Sequence, residues 1–511
     1  MNNVRPQLML LNEEQIQQVH GYALRILAET GVRVDSPSVV EMLRKTGQVR
    51  VQGRCVQLSP ELVESAIQSA PSTIQIYDRR GNPVFNLGAA LPVGYRDGVS
   101  RRVEPVVSSP KGETLSKGND RLRFGVGVTA LYYQEPVNDN LELFTRQHMR
   151  DLTRLASALP LYDVISTLGI VRDVPEHLGD LYGSLEHFAN TTKPLVLLVS
   201  DERNFAPVLE MFEHLHGGLG EKPLVLPYFN PVSPLVMDSG TLLKMEAAIQ
   251  RGLPFIFSNY SMAGASTPLT PAGTLSLLLA ELLAGLVISQ VMSPKGMIKP
   301  GAPVVLGMLP VYFDLKGLQT FYDPQSILLN LACAEIMAYY NLPHCGTSGS
   351  GTGWGMDLIA ADTYWMNTLT FAMKRGGLAP FVGDSLGSKS ISPCTIVHAH
   401  EIIDQSLRIA SGFQLDEAQA VLDEISRVGP GGSFLPAPST IKNYKKGYYI
   451  SRVYPRWTME KWQAEDQPEA RQFLREKTQA LLTELSAPDD CEELLGRGTE
   501  FIRKLSRNNW Q

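Results

Sequence analysis

Cysteine is scarce: five in 511 residues, odd in number and widely scattered. That argues against a disulfide scaffold and points to a reducing compartment. An excess of positive charge is also missing. Lys and Arg total 46 against 52 Asp and Glu, a net −6, so there is no basic footprint for nucleic acid or an acidic membrane surface. No low-complexity tract interrupts the chain. The first residues, MNNVRPQLMLLNEEQIQQ, lack the basic start and apolar core of a secretory signal. A cytoplasmic protein is expected, with neither nucleic acid nor membrane as partner.

One long apolar run stands out, Leu275–Met292. It approaches spanning length, yet Glu281 sits near its centre, Gln290 near its end, and strand patterns flank it closely. A central carboxylate is costly in lipid, so a buried core helix is expected.

The chain is 44% hydrophobic and 19% charged, and long enough for a large barrel with additions. Residues 1–70 are helical in pattern, with helices from Asn12 and over Pro37–Lys45, and Ser59-Pro60 placed to open another. Thr73–Val107 turns to alternating strands around an Arg-Gly-Asn turn, an antiparallel appendage, and Ser108–Arg121 is a polar excursion. Then strands and helices alternate. The strand candidates are Phe124–Ala130, Asp163–Ile170, Pro194–Ser200, Pro223–Phe229, Pro254–Ser258, Pro303–Gly307, Leu342–Gly346 and Ala379–Gly383.

Eight strands alternating with helices predict an α/β fold, a (β/α)8 TIM barrel over 122–391. An open doubly wound sheet is the alternative, but no glycine-rich dinucleotide loop follows the first strand. Residues 1–121 form an N-terminal helical and β-meander extension. Residues 392–511 form a C-terminal helical extension that completes or caps the barrel.

Several loop motifs then stand in order: Asn230-Pro-Val-Ser-Pro-Leu235, Gly264-Ala-Ser-Thr-Pro-Leu-Thr-Pro-Ala-Gly273, Leu282-Leu-Ala-Gly-Leu286 and Gly429-Pro-Gly-Gly-Ser-Phe-Leu435, with Leu27-Ala-Glu-Thr-Gly-Val32 ending the first helix. Together they resemble the trimethylamine methyltransferase superfamily, over nearly the whole chain. The resemblance implies a (β/α)8 enzyme that passes a methyl group from a methylated amine to the cobalt of a separate corrinoid protein. The loop His344-Cys-Gly-Thr-Ser-Gly-Ser-Gly-Thr-Gly-Trp-Gly-Met356 holds only ordinary residues. The chain is therefore similar to the pyrrolysine-lacking branch, whose substrates are quaternary amines such as glycine betaine. Two departures are Asp314-Leu-Lys-Gly317, where the family often has an Asp-Met-Arg-Thr-Gly run, and Ser433, where histidine is usual.

A quaternary ammonium has no N–H, so aromatic faces must hold it. Strand ends supply Tyr132 and Tyr133, Tyr228 and Phe229, Tyr260, and Tyr312 and Phe313, on the side where barrel sites form. The substrate-binding candidates are Tyr132, Phe229, Tyr260 and Tyr312, with Lys316 and His344 to pair a betaine carboxylate; ordinary packing is the alternative for each. Displacement by Co(I) releases a neutral tertiary amine, so no general acid is required and no catalytic side chain is singled out. No tightly bound cofactor is expected, the corrinoid (cobalamin) being carried by the partner, and a homo-oligomer is expected.

Two other readings stay open. A barrel methyltransferase could use another methyl donor with zinc, for which Cys394, His398 and His400 are the nearest ligand set, although Cys394 and His398 share a helix face that His400 does not. His214 and His216 are a weaker pair. A non-catalytic betaine-binding barrel is the second.

Overall fold

A computed structural model describes residues 3–88, 121–346, 351–374, 377–415 and 418–509. The second part of the expected appendage, 89–107, and almost all of the expected excursion at 108–121 fall outside them.

Eight parallel strands close on themselves: β1 (Arg123–Val126), β2 (Tyr162–Ser166), β3 (Leu195–Leu197), β4 (Val225–Phe229), β5 (Phe255–Ala263), β6 (Val304–Asp314), β7 (His344–Cys345) and β8 (Leu378–Ala379), with β8 paired back to β1. Each is followed by a helix: α1 (Arg146–Ala158), α2 (Gly179–Ala189), α3 (Glu202–His216), α4 (Ser239–Gln250), α5 (Pro271–Met292), α6 (Pro324–Tyr339), α7 (Leu358–Lys374) and α8 (Pro393–Ser411). The fold is a (β/α)8 barrel, and the last helix of the ring starts beyond residue 391. Side-chain caps open many of these helices, as Thr145, Asp201, Asp238, Asp323 and Ser392 do for α1, α3, α4, α6 and α8.

The apolar helix α5 is one stave of this ring. An ordinary barrel helix shows an apolar stripe, whereas α5 is apolar all round because a second layer covers its outer side. The helices Glu13–Arg25 and Pro60–Ser69 pack there, and 83% of its most apolar window is buried. The Leu282–Leu286 motif has a steric origin. A Cβ on Gly285 would collide with the Phe257 ring, so glycine lets α5 lie close on β5.

The predicted appendage stops the barrel's lower end. Thr73–Tyr77 and Pro83–Gly88 form a hairpin whose Ile74, Ile76, Phe85 and Leu87 join the lumen cluster of Val164, Val196, Leu226 and Val305. Its backbone docks onto the segments entering β4 and β3, Tyr77 N–H to Pro223 O at 2.9 Å and Arg79 N–H to Thr192 O at 2.8 Å. The Arg79 guanidinium grips Asp490 at 2.5 and 2.8 Å, tying hairpin and C-terminal segment together. With this floor in place, any ligand must enter from the strands' C-terminal end.

At that end β5 and β6 outreach their neighbours, pairing from Phe255↔Val304 to Ala263↔Tyr312. Gln319–Phe321 folds back on β6. A small sheet of Tyr132–Gln134, Leu141–Leu143, Asp384–Ser385 and Ser390–Ile391 closes the other flank.

Candidate active site

In a strand, side chains alternate between faces, and in a closed barrel one face is lumen and the other meets the helices. On β4 the lumen face holds Leu226 and Tyr228. Phe229 points the other way, its ring 5.3 Å from those of Phe205 on α3 and Phe255. The same parity turns Tyr312 toward the helix layer, where its backbone N–H meets Ser326 Oγ at 3.2 Å. His344 is beside Leu306 on β6, whose side chain belongs to the helix-side core. Its Nδ1 is 3.1 Å from Leu342 O, and burial lowers its pKa below the ordinary value. Lys316 is at the exposed tip of the β6 hairpin, its backbone N–H donating to Asp314 Oδ1. Tyr132 is on the flanking sheet, 37% exposed. Of the six candidates, Tyr260 alone lies on the lumen parity at the mouth.

Around Tyr260 a site can be built upward. Its phenol donates to Thr320 Oγ1 at 3.2 Å from the folded-back strand, with Tyr322 alongside. Burial first, and then the negative Asp384, raise its pKa; Thr320 and Tyr322 partly oppose this. Below it Tyr228 meets Phe381 edge to face at 5.1 Å. Burial raises the Tyr228 pKa too, so both phenols stay neutral. Asp384, just past β8, is fully buried, and Tyr364 on α7 donates its hydroxyl to the Asp384 backbone carbonyl. Deeper still, Ser258 faces Tyr228 and Cys345, and burial pushes the Cys345 thiol up to about 12. That thiol stays protonated at neutral pH and is no nucleophile. A Cβ on Gly307 would collide with the Cys345 sulfur, so the lumen is filled at this level.

Glu281, from the middle of α5, fixes the rim. It is fully buried and accepts from Leu235 N–H (2.8 Å), Ser233 Oγ (2.8 Å) and Asn259 Nδ2 (2.9 Å). The Asn230–Leu235 and Leu282–Leu286 motifs are thus two sides of one clamp. Burial raises the carboxyl's pKa against these hydrogen bonds. The sequence marked Glu281 only as an interruption in an apolar run.

Cys394, His398 and His400 go to separate partners. Cys394 Sγ faces Pro136 O at 3.7 Å, His398 Nδ1 is 2.7 Å from Tyr454 Oη, and His400 Nε2 accepts from Leu161 N–H at 3.3 Å. Among the described residues no three His, Cys, Asp or Glu side chains are grouped to hold a metal.

A floored barrel with an aromatic mouth and a buried carboxyl is open to a ligand from one end only. The family model described as trimethylamine methyltransferase (MTTB) matches residues 1–93 and 112–505. The chain belongs to this family and is a methyltransferase. It is similar to the glycine betaine methyltransferase of Desulfitobacterium hafniense strain Y51, 27% identical over 525 residues covering 99% of each chain. It is also similar to the trimethylamine methyltransferase MttB of strain DSM 10664 / DCB-2, 25% identical over 89% of this chain and 85% of that one. Among solved structures, the hydroxylamine complex of MtmB aligns with a TM-score of 0.52, and the monomethylamine methyltransferase MtmB of Methanosarcina barkeri with 0.50. Each covers 94% of this chain and 89% of its own at 9% identity, a likeness of fold.

Proposed function

We propose that the protein moves a methyl group from a quaternary, betaine-type amine to the Co(I) of a corrinoid carried by a separate cytoplasmic protein. The observation that carries this reading is the convergence of Tyr228, Tyr260 and Phe381 with the buried Asp384 at the mouth. Aromatic faces attract a quaternary ammonium by about 0.5–2 kcal/mol each. A carboxylate supplies the opposite charge, and no group there need donate to a nitrogen that has no free pair.

The corrinoid is a second substrate. In the displacement, the methyl–nitrogen bond breaks with its electron pair staying on nitrogen, while the acceptor's pair forms the new bond. The amine leaves neutral, so no proton moves. The chain's own residues bind the cation, aim one methyl outward and exclude water. Exposed apolar side chains stand in the segments that follow β5, β6 and β7, among them Leu269, Leu315, Leu318 and Trp354, a surface suited to a docking protein.

The test mixes the protein with a Co(I) corrinoid protein and, in turn, glycine betaine, proline betaine, carnitine and trimethylamine. Loss of the Co(I) absorbance with gain of methyl-Co(III) is expected for a quaternary amine. If no quaternary amine yields methyl-cobalt, the proposal fails.

A further inference from the structure

The Tyr260 ring is anchored by a hydroxyl two strands away from its own backbone. At Tyr312, β6 pairs on one edge with Ala263 of β5 and on the other with Phe321 of the folded-back strand Gln319–Phe321. Tyr260 starts on β5, opposite Leu309, and its phenol donates to Thr320 Oγ1 at 3.2 Å. Thr320 is opposite Phe313, on the far side of β6. The ring must therefore cross the inner face of β6 to reach its acceptor. With β6 behind it and 40% of the residue exposed, the ring has one free face. A half-exposed ring lacks the all-round packing that confines a core side chain to one rotamer, so the bond at its tip sets where it stands.

Thr320 is held in place without help from Tyr260. Its strand pairs with β6 at Tyr312↔Phe321, Phe313↔Thr320 and Asp314↔Gln319. The turn between them is closed by the Asp314 carboxylate, which accepts from the Lys316 and Gly317 N–H groups at 2.9 Å each. From α6, Asn330 Nδ2 donates to Pro310 O at 2.7 Å, and Ser326 Oγ accepts the Tyr312 N–H at 3.2 Å, so the outer part of β6 is fixed as well. Tyr322, one residue past the folded-back strand, meets the same phenol. The hairpin is the fixed support, and the Tyr260 ring hangs from it. Placement matters here because a cation is attracted only when it stands over the ring, within about 6 Å of its centre. Tyr228 is steadied by the Phe381 ring at 5.1 Å; Tyr260 is steadied by a hydroxyl. We infer that Thr320 is a positioning residue for methyl transfer, holding the Tyr260 ring in place as one wall of the ammonium site. The inference rests on the quaternary-amine reading above, and Thr320 acts through Tyr260 instead of through a substrate contact of its own.

The test is steady-state methyl transfer from glycine betaine to a Co(I) corrinoid protein, run as a double-mutant cycle. Thr320→Val keeps the β-branched shape and removes the acceptor, while Tyr260→Phe keeps the ring and removes the donor. Each should raise KM roughly 3- to 10-fold, the bias that one hydrogen bond supplies, with the loss carried by KM and not by kcat. The double variant should be no worse than either single one, because both delete the same bond. Thr320→Ser restores an acceptor and should bring KM back to within about twofold of wild type. If Thr320→Val fails to fold, Tyr260→Phe deletes the bond from the other side and decides alone. A wild-type KM in either variant, losses that multiply in the double variant, or a fall in kcat that Thr320→Ser does not repair overturns the inference and leaves the quaternary-amine reading standing. A wild type that transfers no methyl from any quaternary amine removes that reading, and this inference with it.

Discussion

Glu281→Ala tests whether the mouth is held as described. The substitution strands the Leu235 N–H, which has no other acceptor in the clamp, at about 1–3 kcal/mol for a buried donor. Ser233 keeps Ser261 Oγ at 2.7 Å and Asn259 keeps Leu278 O at 2.8 Å, so each of these loses only about 0.5–1.5 kcal/mol. Relief of the buried carboxyl's desolvation offsets part of the total, leaving about 3–4 kcal/mol. With an unfolding entropy of about 2.1 cal/mol/K per residue, the melting temperature should fall by roughly 3–4 °C. Glu281→Gln keeps the shape and one acceptor and should lose about half as much. The pH dependence adds a second reading. A carboxyl whose folded pKa is raised favours the fold below its unfolded value near 4.5, and that advantage is lost as pH climbs through the raised value. The gap between wild type and Glu281→Gln should therefore narrow from acid toward neutral pH. Scanning calorimetry decides it: an Ala variant within about 1 °C of wild type would refute the clamp.

Strand parity makes a paired prediction: Tyr260→Leu should lower kcat/KM by roughly 2- to 30-fold through a lost cation contact with little change in melting temperature. Phe229→Leu should do the reverse, costing roughly 1 kcal/mol of stability with KM unchanged; equal KM effects would contradict the assignment of faces. Gly307→Ala should destabilise by about 1–3 kcal/mol through overpacking, and adding Cys345→Ala should recover most of it; no recovery in that double-mutant cycle would mean the two do not touch. Burial lowers the pKa of His187 and His400 to about 3 and of His398 to about 4. Stability is then complete above the unfolded value near 6.5 and falls as pH drops from there toward 4, by up to 1.4 kcal/mol per unit for each group. Melting temperatures that hold steady from pH 7 to 5 would count against three neutral buried histidines.

The barrel was legible because each βα unit writes its own local pattern, and all eight strands and their order can be read from the chain. Faces were not legible. A parallel strand is buried on both sides, so Leu-Pro-Tyr-Phe offers no alternation to tell Tyr228 from Phe229. That is why Phe229, Tyr312 and His344 were candidates and Phe381 and Asp384 were not. Spacing is equally silent on distance through space: nothing near Thr73–Gly88 says that the hairpin plugs the barrel, nor does α5 announce Glu281 as the anchor of a loop 46 positions away. The family motifs were the exception: Gly285 answers a close contact with Phe257, Gly429 and Gly431 take positive φ, and the Asn230–Leu235 loop is held by Glu281.

The central claim is that one methyl leaves a quaternary nitrogen for cobalt. The most direct measurement supplies glycine betaine with 13C-labelled methyls and a Co(I) corrinoid protein, and counts both products by mass spectrometry. The account predicts labelled methyl-cobalt and dimethylglycine in equal amounts, with turnover falling in Tyr260→Leu. Dimethylglycine without labelled methyl-cobalt, or labelled cobalt at the same rate in the absence of the protein, would contradict it.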